Sequence, residues 1–198
     1  MTDFEALLSE VRACRLCEAV LPLGARPILQ MSPTARILIA GQAPGSKAHA
    51  SGIPFSDPSG DRLREWTGLS RADFYDARSV AILPMGLCYP GRGRSGDAPP
   101  RPECAPLWRE RLLATMPAMR LTLLVGSYAQ KHVLGPGALT ERVRDFAAYL
   151  PDQFPLPHPS WRVTGWSRKN PWFETEVLPA LRATIRQALT DDEAGNPP

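Results

Sequence analysis

Three short apolar runs, each ended by glycine or proline, most constrain how this chain can fold. They are Arg36–Ala40, Ser79–Leu83 and Leu121–Gly126. Continuous apolar runs of this length, bounded by turn residues, are typical of strands buried on both faces of a sheet. Segments with helical spacing lie between the runs. Strands that alternate with helices predict an α/β fold with a parallel or mostly parallel sheet covered on both faces.

The segments between the strands predict amphipathic helices. The helices are expected at Asp3–Ala13, Asp61–Gly68, Glu103–Met116, Ser127–Leu134 and Phe173–Leu189. The stretch Asp152–Trp172 is rich in proline and tryptophan and shows little periodicity, so it is predicted to be a structured loop. No linker divides the chain. We therefore expect one domain over residues 1–189, followed by a disordered acidic tail over residues 190–198.

Composition indicates many ordered loops and a soluble chain. The 22 prolines among 198 residues are about twice the average usage, so many loops are expected. Loops are where binding and catalytic residues concentrate.

The net charge is only +3, but arginine far outnumbers lysine. The planar guanidinium group of arginine suits phosphate oxygens. No segment has the length of a membrane span and no secretory signal is present. We expect a monomeric cytoplasmic protein.

The four cysteines predict a metal centre. Cys14 and Cys17 form a C-x-x-C pair, and Cys88 and Cys104 follow on either side of a proline-rich loop. Such a pair can hold one centre from a single turn, and two further thiolates complete a four-sulfur shell for zinc or an iron–sulfur cluster. Spacing alone leaves zinc and iron–sulfur open. The C-x-x-C pair follows a helix, whereas a thioredoxin-type motif follows a strand.

The segment Gly41–Gly45 lies at the carboxyl end of the first predicted strand. Open α/β sheets bind ligands at that position. Its glycines and proline let the backbone approach a ligand closely. No Gly-Lys-Ser/Thr follows, so the segment is not a phosphate-binding P-loop.

A second candidate motif is His158-Pro159-Ser160. The prolines beside His158 stiffen the backbone, which suits a group that donates a hydrogen bond at a fixed point. Ser160 can contact a phosphate. The residues that follow mix aromatic and basic side chains that suit base stacking and phosphate binding. These residues are Trp161, Arg162, Trp166, Arg168 and Lys169.

Together the motifs resemble the uracil-DNA glycosylase superfamily. The similarity rests on Gly41–Gly45, Gly52–Phe55, Gly60, Leu124–Ala129 and His158–Ser160. The order and spacing of the four cysteines resemble the iron–sulfur branch called family 4. The resemblance implies a three-layer α/β/α domain around a four-stranded, mostly parallel sheet. It also implies an enzyme that flips a deaminated base, most often uracil, out of DNA and hydrolyses its N-glycosidic bond.

The resemblance assigns roles around the extruded base. His158 would donate a hydrogen bond to the charge that develops at uracil O2. Phe55 would stack on the base, while Gly41, Gln42 and Ala43 would line the pocket and bind uracil O2 or position water.

The resemblance also assigns DNA contacts and a cofactor. Ser160 would hold a phosphate, and Trp161 and Arg162 lie where the family's intercalating loop enters the minor groove. Lys169 would add a phosphate contact. The four cysteines would hold a [4Fe–4S] cluster, with zinc as the alternative.

Three positions depart from the family pattern. The glutamate that often follows the Gly-rich motif in this branch is absent from Ser46–His49. Ala43 stands where the most efficient branch carries an aspartate that orients the attacking water, so Asp57 and Asp61 are candidates for an alternative carboxylate. The segment Leu83–Cys88 lacks the asparagine that reads the uracil edge. Met85, within that segment, is expected to contact the base instead. We therefore expect a divergent member with broader base specificity.

Two alternatives remain open at this stage. The chain could be a DNA-binding module of the same fold that has lost catalysis, since Ala43 and the missing asparagine allow it. It could also be a zinc-stabilised enzyme that acts on another nucleotide-sized substrate. The presence of His158 favours a catalytic protein over a binding module.

Overall fold

The computed structural model describes residues 2–94 and 96–190. Its centre is a sheet of four parallel strands, in the order β2-β1-β5-β6. A separate antiparallel hairpin pairs β3 with β4. The strands are β1 (Ile37–Ala40), β2 (Val80–Ile82), β3 (Arg92–Gly93), β4 (Gly96–Asp97), β5 (Leu121–Val125) and β6 (Gln153–Leu156).

Helices cover both faces of the sheet. The α-helices of the described residues are α1 (Asp3–Arg12), α2 (Ser46–Ser51), α3 (Pro58–Thr67), α4 (Arg71–Phe74), α5 (Cys104–Leu113), α6 (Ser127–Leu134), α7 (Leu139–Arg144), α8 (Val163–Lys169) and α9 (Leu178–Leu189). Short 3₁₀ turns occupy Glu18–Val20 and Phe146–Tyr149, and a π-helical turn, Phe173–Val177, leads into α9.

Two apolar cores lie on opposite faces of the sheet. Ile37 and Ile39 of β1 pack on one face with side chains of α3 and α9. Leu38, which points to the other face, packs with side chains of α1 and α5. Every side chain of β1 and β5 is buried, because helices cover both faces. The predicted three-layer α/β/α fold with a four-stranded parallel sheet is therefore confirmed.

The helix α3 begins at Pro58, three residues before the start of the predicted helix Asp61–Gly68. Asp57 caps it: its carboxylate accepts a hydrogen bond of 2.9 Å from the Gly60 amide, and Pro58 occupies the first turn. Asp61, the other candidate for the alternative carboxylate, lies inside the helix and pairs with Arg64.

The interpretation of Asp152–Trp172 as one loop is wrong. The segment contains the fourth strand, β6, and the helix α8. Pro155 lies within β6, which is tolerated because β6 is an edge strand that pairs only with β5. The predicted tail, apart from Thr190, lies outside the described residues. Among residues 2–94 and 96–190, none of the helices is both long and apolar enough to span a membrane.

Removing a buried side chain of the central strands should destabilise the protein strongly. Leu123 of β5 is fully buried, so Leu123→Ala should lower the free energy of unfolding by about 2–5 kcal/mol. Leu23 is 55% exposed, and Leu23→Ala should change it by less than about 0.5 kcal/mol. Urea denaturation followed by circular dichroism measures both. Equal midpoints for the two variants would contradict the assigned core.

Candidate active site

A cavity of about 490 Å³ lies at the carboxyl edge of the parallel sheet. Loops that follow β1, β2 and β6 meet there, because parallel strands end at the same edge. The start of α3 and the hairpin strand β4 complete the wall. Nine of the predicted site residues line this cavity: Gly41, Gln42, Ala43, Phe55, Asp57, His158, Ser160, Trp161 and Arg162.

Two of the residues predicted to contact the base or DNA lie outside this cavity. Met85 was expected to contact the base, but its side chain is buried in a small core with Leu124 and Ala129. Its main-chain N–H donates a 2.9 Å hydrogen bond to the Gly41 carbonyl, so Met85 supports the loop after β1. Lys169 is the last residue of α8 and is exposed outside the cavity lining.

His158 is held against the end of β5. A Cβ at Gly126, whose φ is +83°, would lie 3.2 Å from the Cβ of His158, so glycine allows the close approach. Burial lowers the pKa of His158 below its ordinary value of 6.5, and the negative charge of Asp57 opposes this shift. The imidazole is therefore neutral at neutral pH and has one N–H to donate.

Two carboxylates flank Gly45 at the cavity wall. The Oδ2 atoms of Asp97 and Asp57 lie 3.5 Å and 3.8 Å from the point that a Cβ on Gly45 would occupy. Asp57 uses Oδ1 to cap α3, which leaves Oδ2 to the cavity side. Burial and the charge of Asp57 raise the pKa of Asp97, while Arg92 acts in the opposite direction. Sequence reasoning missed Asp97, because it lies in a glycine- and arginine-rich loop with no motif of its own.

Gln42 fixes the hairpin that carries Asp97. Its side-chain Nε2 donates a 2.7 Å hydrogen bond to the main-chain carbonyl of Ala98. A longer contact of 3.4 Å runs to the carbonyl of Asp97. The side-chain N–H groups of Gln42 are thus directed to the hairpin, and its main-chain carbonyl accepts a 2.9 Å hydrogen bond from the Gly86 N–H.

Phe55 forms the aromatic wall of the cavity. Its ring tip Cζ lies 3.4 Å from the point that a Cβ on Gly41 would occupy. The ring of Phe74 packs edge-on against it, with 6.3 Å between the centroids. The aromatic face is therefore fixed close to the loop after β1, where it can stack on a flat ring.

The loop after His158 projects an exposed aromatic residue at the cavity mouth. Trp161 is 75% exposed, and the Arg162 guanidinium lies 5.3 Å from its ring centroid. Arg62 of α3 ties this loop down with hydrogen bonds to the carbonyls of Pro159, at 3.1 Å, and Ser160, at 2.7 Å. Trp166, in contrast, packs inside against Trp172 and Phe173.

Comparison with known proteins identifies the family to which the chain belongs. A family model described as the uracil DNA glycosylase superfamily matches residues 29–182. The chain belongs to this superfamily. The chain also resembles a solution NMR structure from Methanosarcina acetivorans, whose protein is proposed to be a uracil DNA glycosylase. The two are 16% identical with a TM-score of 0.47, and the match covers 80% of this chain and 93% of that chain.

The superfamily match runs from before β1 into α9 and includes every residue that lines the cavity. It also includes Cys88 and Cys104, but it starts after Cys14 and Cys17. The match therefore covers the residues that line the cavity but only two of the four cysteines.

The four cysteines line a second, smaller cavity on the α1 and α5 side of the molecule. All four are free thiols. The main-chain N–H of Leu87 donates to the Cys104 sulfur at 3.3 Å. Burial raises the pKa of Cys88 and of Cys104 to about 11 each. In the part of the chain that the structure describes, no three Cys, His, Asp or Glu side chains lie close enough together to hold a single metal ion.

Titration of His158 tests the electrostatics of the site. Because burial lowers its pKa, its ring protons should titrate in NMR with a midpoint below 6.5, and His158→Gln should remove that midpoint. The unfolded chain binds the proton more readily, so the contribution of His158 to stability should be lost as pH falls below about 6.5. A midpoint above 6.5 would contradict the assigned burial.

Proposed function

We propose that this protein is a monofunctional DNA glycosylase that removes uracil or another deaminated base from DNA and leaves an abasic site. One observation carries the proposal. A neutral histidine, His158, and two carboxylates, Asp57 and Asp97, face the same cavity, which Phe55 walls with an aromatic ring. The cavity thus combines a hydrogen-bond donor, proton acceptors and a stacking surface.

His158 stabilises the departing base. When the N-glycosidic bond breaks, its electron pair passes to the base, and negative charge develops on the base oxygen. A positioned N–H lowers the free energy of that transition state. A neutral imidazole serves this purpose without carrying a charge into the buried site, and the lowered pKa of His158 favours that form.

Asp57 and Asp97 take the place of the aspartate that Ala43 replaces. A carboxylate accepts a proton from water while the water oxygen bonds to C1′ of the sugar. Asp57 has Oδ2 available for this, since only Oδ1 caps α3. Asp97 lies beside the same glycine. The departing base leaves with the electron pair and takes up a proton in turn, which balances the hydrolysis.

Base discrimination is broader than a uracil-reading asparagine would give. The segment Leu83–Cys88 has no asparagine, and Met85 is buried away from the cavity. The side-chain N–H groups of Gln42 are directed to the hairpin. Without a side-chain amide to read one base, we propose that hypoxanthine and xanthine compete with uracil as substrates.

DNA would cross the cavity mouth. The exposed Trp161 ring is placed to enter the base stack, with Arg162 beside it. Ser160 lines the mouth and Lys169 is exposed farther along α8, so both can contact phosphates. We propose that the protein acts on DNA as a monomer in the cytoplasm.

We further propose a [4Fe–4S] cluster held by Cys14, Cys17, Cys88 and Cys104. The donor set fits: four free thiols line one cavity, and two of them are largely buried. A cluster binds each thiolate to a different iron, so its ligands stand farther apart than four ligands on one zinc ion. Four thiolates also suit a single zinc ion, so zinc is the alternative. When bound, the cluster would supply a four-point crosslink between α1, α5 and the loop before the hairpin.

Metal analysis decides the cofactor. Protein purified without oxygen should be brown and contain about four irons per chain. Replacing Cys88 with Ser should lower the iron content, whereas Leu23→Ala should leave it unchanged. A colourless protein with one zinc per chain would contradict the cluster and support the zinc alternative.

Glycosylase assays decide the activity. Oligonucleotides that carry uracil, hypoxanthine or xanthine should yield alkali-labile sites on incubation with the protein. His158→Ala should lower the single-turnover rate by about 10²-fold or more. His132→Ala, a histidine of α6 outside the cavity lining, is the control and should keep the wild-type rate.

Two results would overturn the proposal. Duplex binding without cleavage of any base would favour a binding module that has lost catalysis. An unchanged rate in His158→Ala would show that His158 has been assigned the wrong role.

A further inference from the structure

Phe55 holds an unusual backbone conformation. Among the described residues other than glycine, it alone has a positive φ, at +53°. This region is unfavourable for a bulky side chain and persists only where the surroundings impose it. Such strain concentrates at functional sites, and Phe55 walls the cavity. The groups that impose the strain are therefore of functional interest.

Contacts to the carbonyl of Phe55 hold its backbone in this conformation. The Tyr75 hydroxyl lies 3.1 Å from this carbonyl and 3.0 Å from the carbonyl of Pro54, so it can donate to either. Arg64 donates to the Tyr75 oxygen at 3.2 Å and approaches the Phe55 carbonyl at 3.5 Å. A Cβ on Gly60 would lie only 1.8 Å from the same carbonyl oxygen, so only glycine fits there.

Arg64 and Tyr75 are themselves fixed in place. Arg64 is 8% exposed and forms an ion pair with Asp61 one turn earlier in α3. Its guanidinium lies 5.3 Å from the ring centroid of Phe74 and 5.5 Å from that of Tyr75. The Phe74 and Tyr75 rings pack edge to face at 5.1 Å. Neither Arg64 nor Tyr75 lines the cavity, so they act on it through the neighbouring residues Pro54 and Phe55, which do.

We infer that Tyr75 and Arg64 are positioning residues that hold Phe55 in its strained conformation, ready to stack on an extruded base. Their hydrogen bonds fix the backbone that aims the ring at Gly41, so the stacking face exists before DNA binds. A preformed face avoids the entropy cost of ordering the ring in the complex. The inference rests on the proposed function for the identity of the ligand, and on the described contacts for the positioning.

The matched test uses Tyr75→Phe, which removes one hydroxyl and keeps the ring that packs against Phe74. Tyr149→Phe is the control, because Tyr149 lies in the 3₁₀ turn before β6 and does not line the cavity. Two duplexes serve as probes. One carries 2′-fluoro-2′-deoxyuridine, which retains its base, and the other carries a tetrahydrofuran abasic site.

If Tyr75 positions the Phe55 ring, Tyr75→Phe should lose affinity only for DNA that still carries the base. Tyr75→Phe should bind the fluoro-uridine duplex about tenfold more weakly and cleave uracil about tenfold more slowly, and its affinity for the abasic duplex should stay at the wild-type value. In a Phe55→Leu background, adding Tyr75→Phe should cause no further loss, because the ring that it positions is gone. Equal weakening on both duplexes, or full additivity with Phe55→Leu, would overturn the inference.

A readout without DNA separates this inference from the proposed function. Amide hydrogen exchange in residues 53–57 should be about tenfold faster in Tyr75→Phe than in the wild type and in Tyr149→Phe. Faster exchange in a protein that cleaves no base would support the positioning and refute the glycosylase. Unchanged exchange in a protein that cleaves uracil would refute the positioning and leave the glycosylase standing.

Discussion

The parallel pairing of β1 with β5 is the contact on which the arrangement of the site depends. Ile37 lies opposite Leu121, and the register continues to Ala40 opposite Leu124. Both strands are buried over their full length, so the apolar cores on the two faces stabilise the pair. Because the strands run in the same direction and end together, the loop after β1 and Gly126 lie at the same edge of the sheet. Gly126 in turn lies against His158, which follows the neighbouring strand β6.

The cysteine-lined cavity and the cavity lined by His158 depend on one stretch of chain. Residues 88–104 run from one cysteine to another and carry the hairpin with Asp97, and Gln42 holds this hairpin at the cavity lined by His158. Gly86, just before that stretch, lies so close to Pro100 that an added Cβ would be 2.9 Å from the proline Cβ. Gly86 lines the cysteine cavity, and its N–H donates a 2.9 Å hydrogen bond to the carbonyl of Gln42, which lines the other cavity. A cluster that fixes Cys88 and Cys104 would thereby also hold the hairpin beside Gln42.

The sequence predicted the parts that short-range chemistry determines. The apolar runs predicted β1, β2 and β5, because strands buried on both faces leave a clear pattern. The loop after β1 was expected at the carboxyl edge of the sheet, whereas the His158 motif was assigned to the same site through the family resemblance. The strand β6 was missed, since Pro155 masks a strand that only an edge position tolerates.

Long-range contacts account for the features of the site that the sequence did not predict. Met85 looked like a base contact because of its position before Cys88, yet its side chain fills a gap beside Leu124. Asp97 reaches the site only through a hairpin that the Gln42 hydrogen bond anchors. The strained φ of Phe55 depends on Tyr75 and Arg64, which follow it by 20 and 9 residues. No local sequence pattern records contacts of this kind.

The central claim is that this cavity hydrolyses an N-glycosidic bond with water as the nucleophile. The direct measurement is a single-turnover reaction on uracil-containing DNA in water enriched in ¹⁸O, with mass spectrometry of both products. The account predicts free uracil together with an abasic sugar that carries one ¹⁸O atom at C1′. Intact DNA, or a covalent adduct between the protein and the sugar, would contradict it.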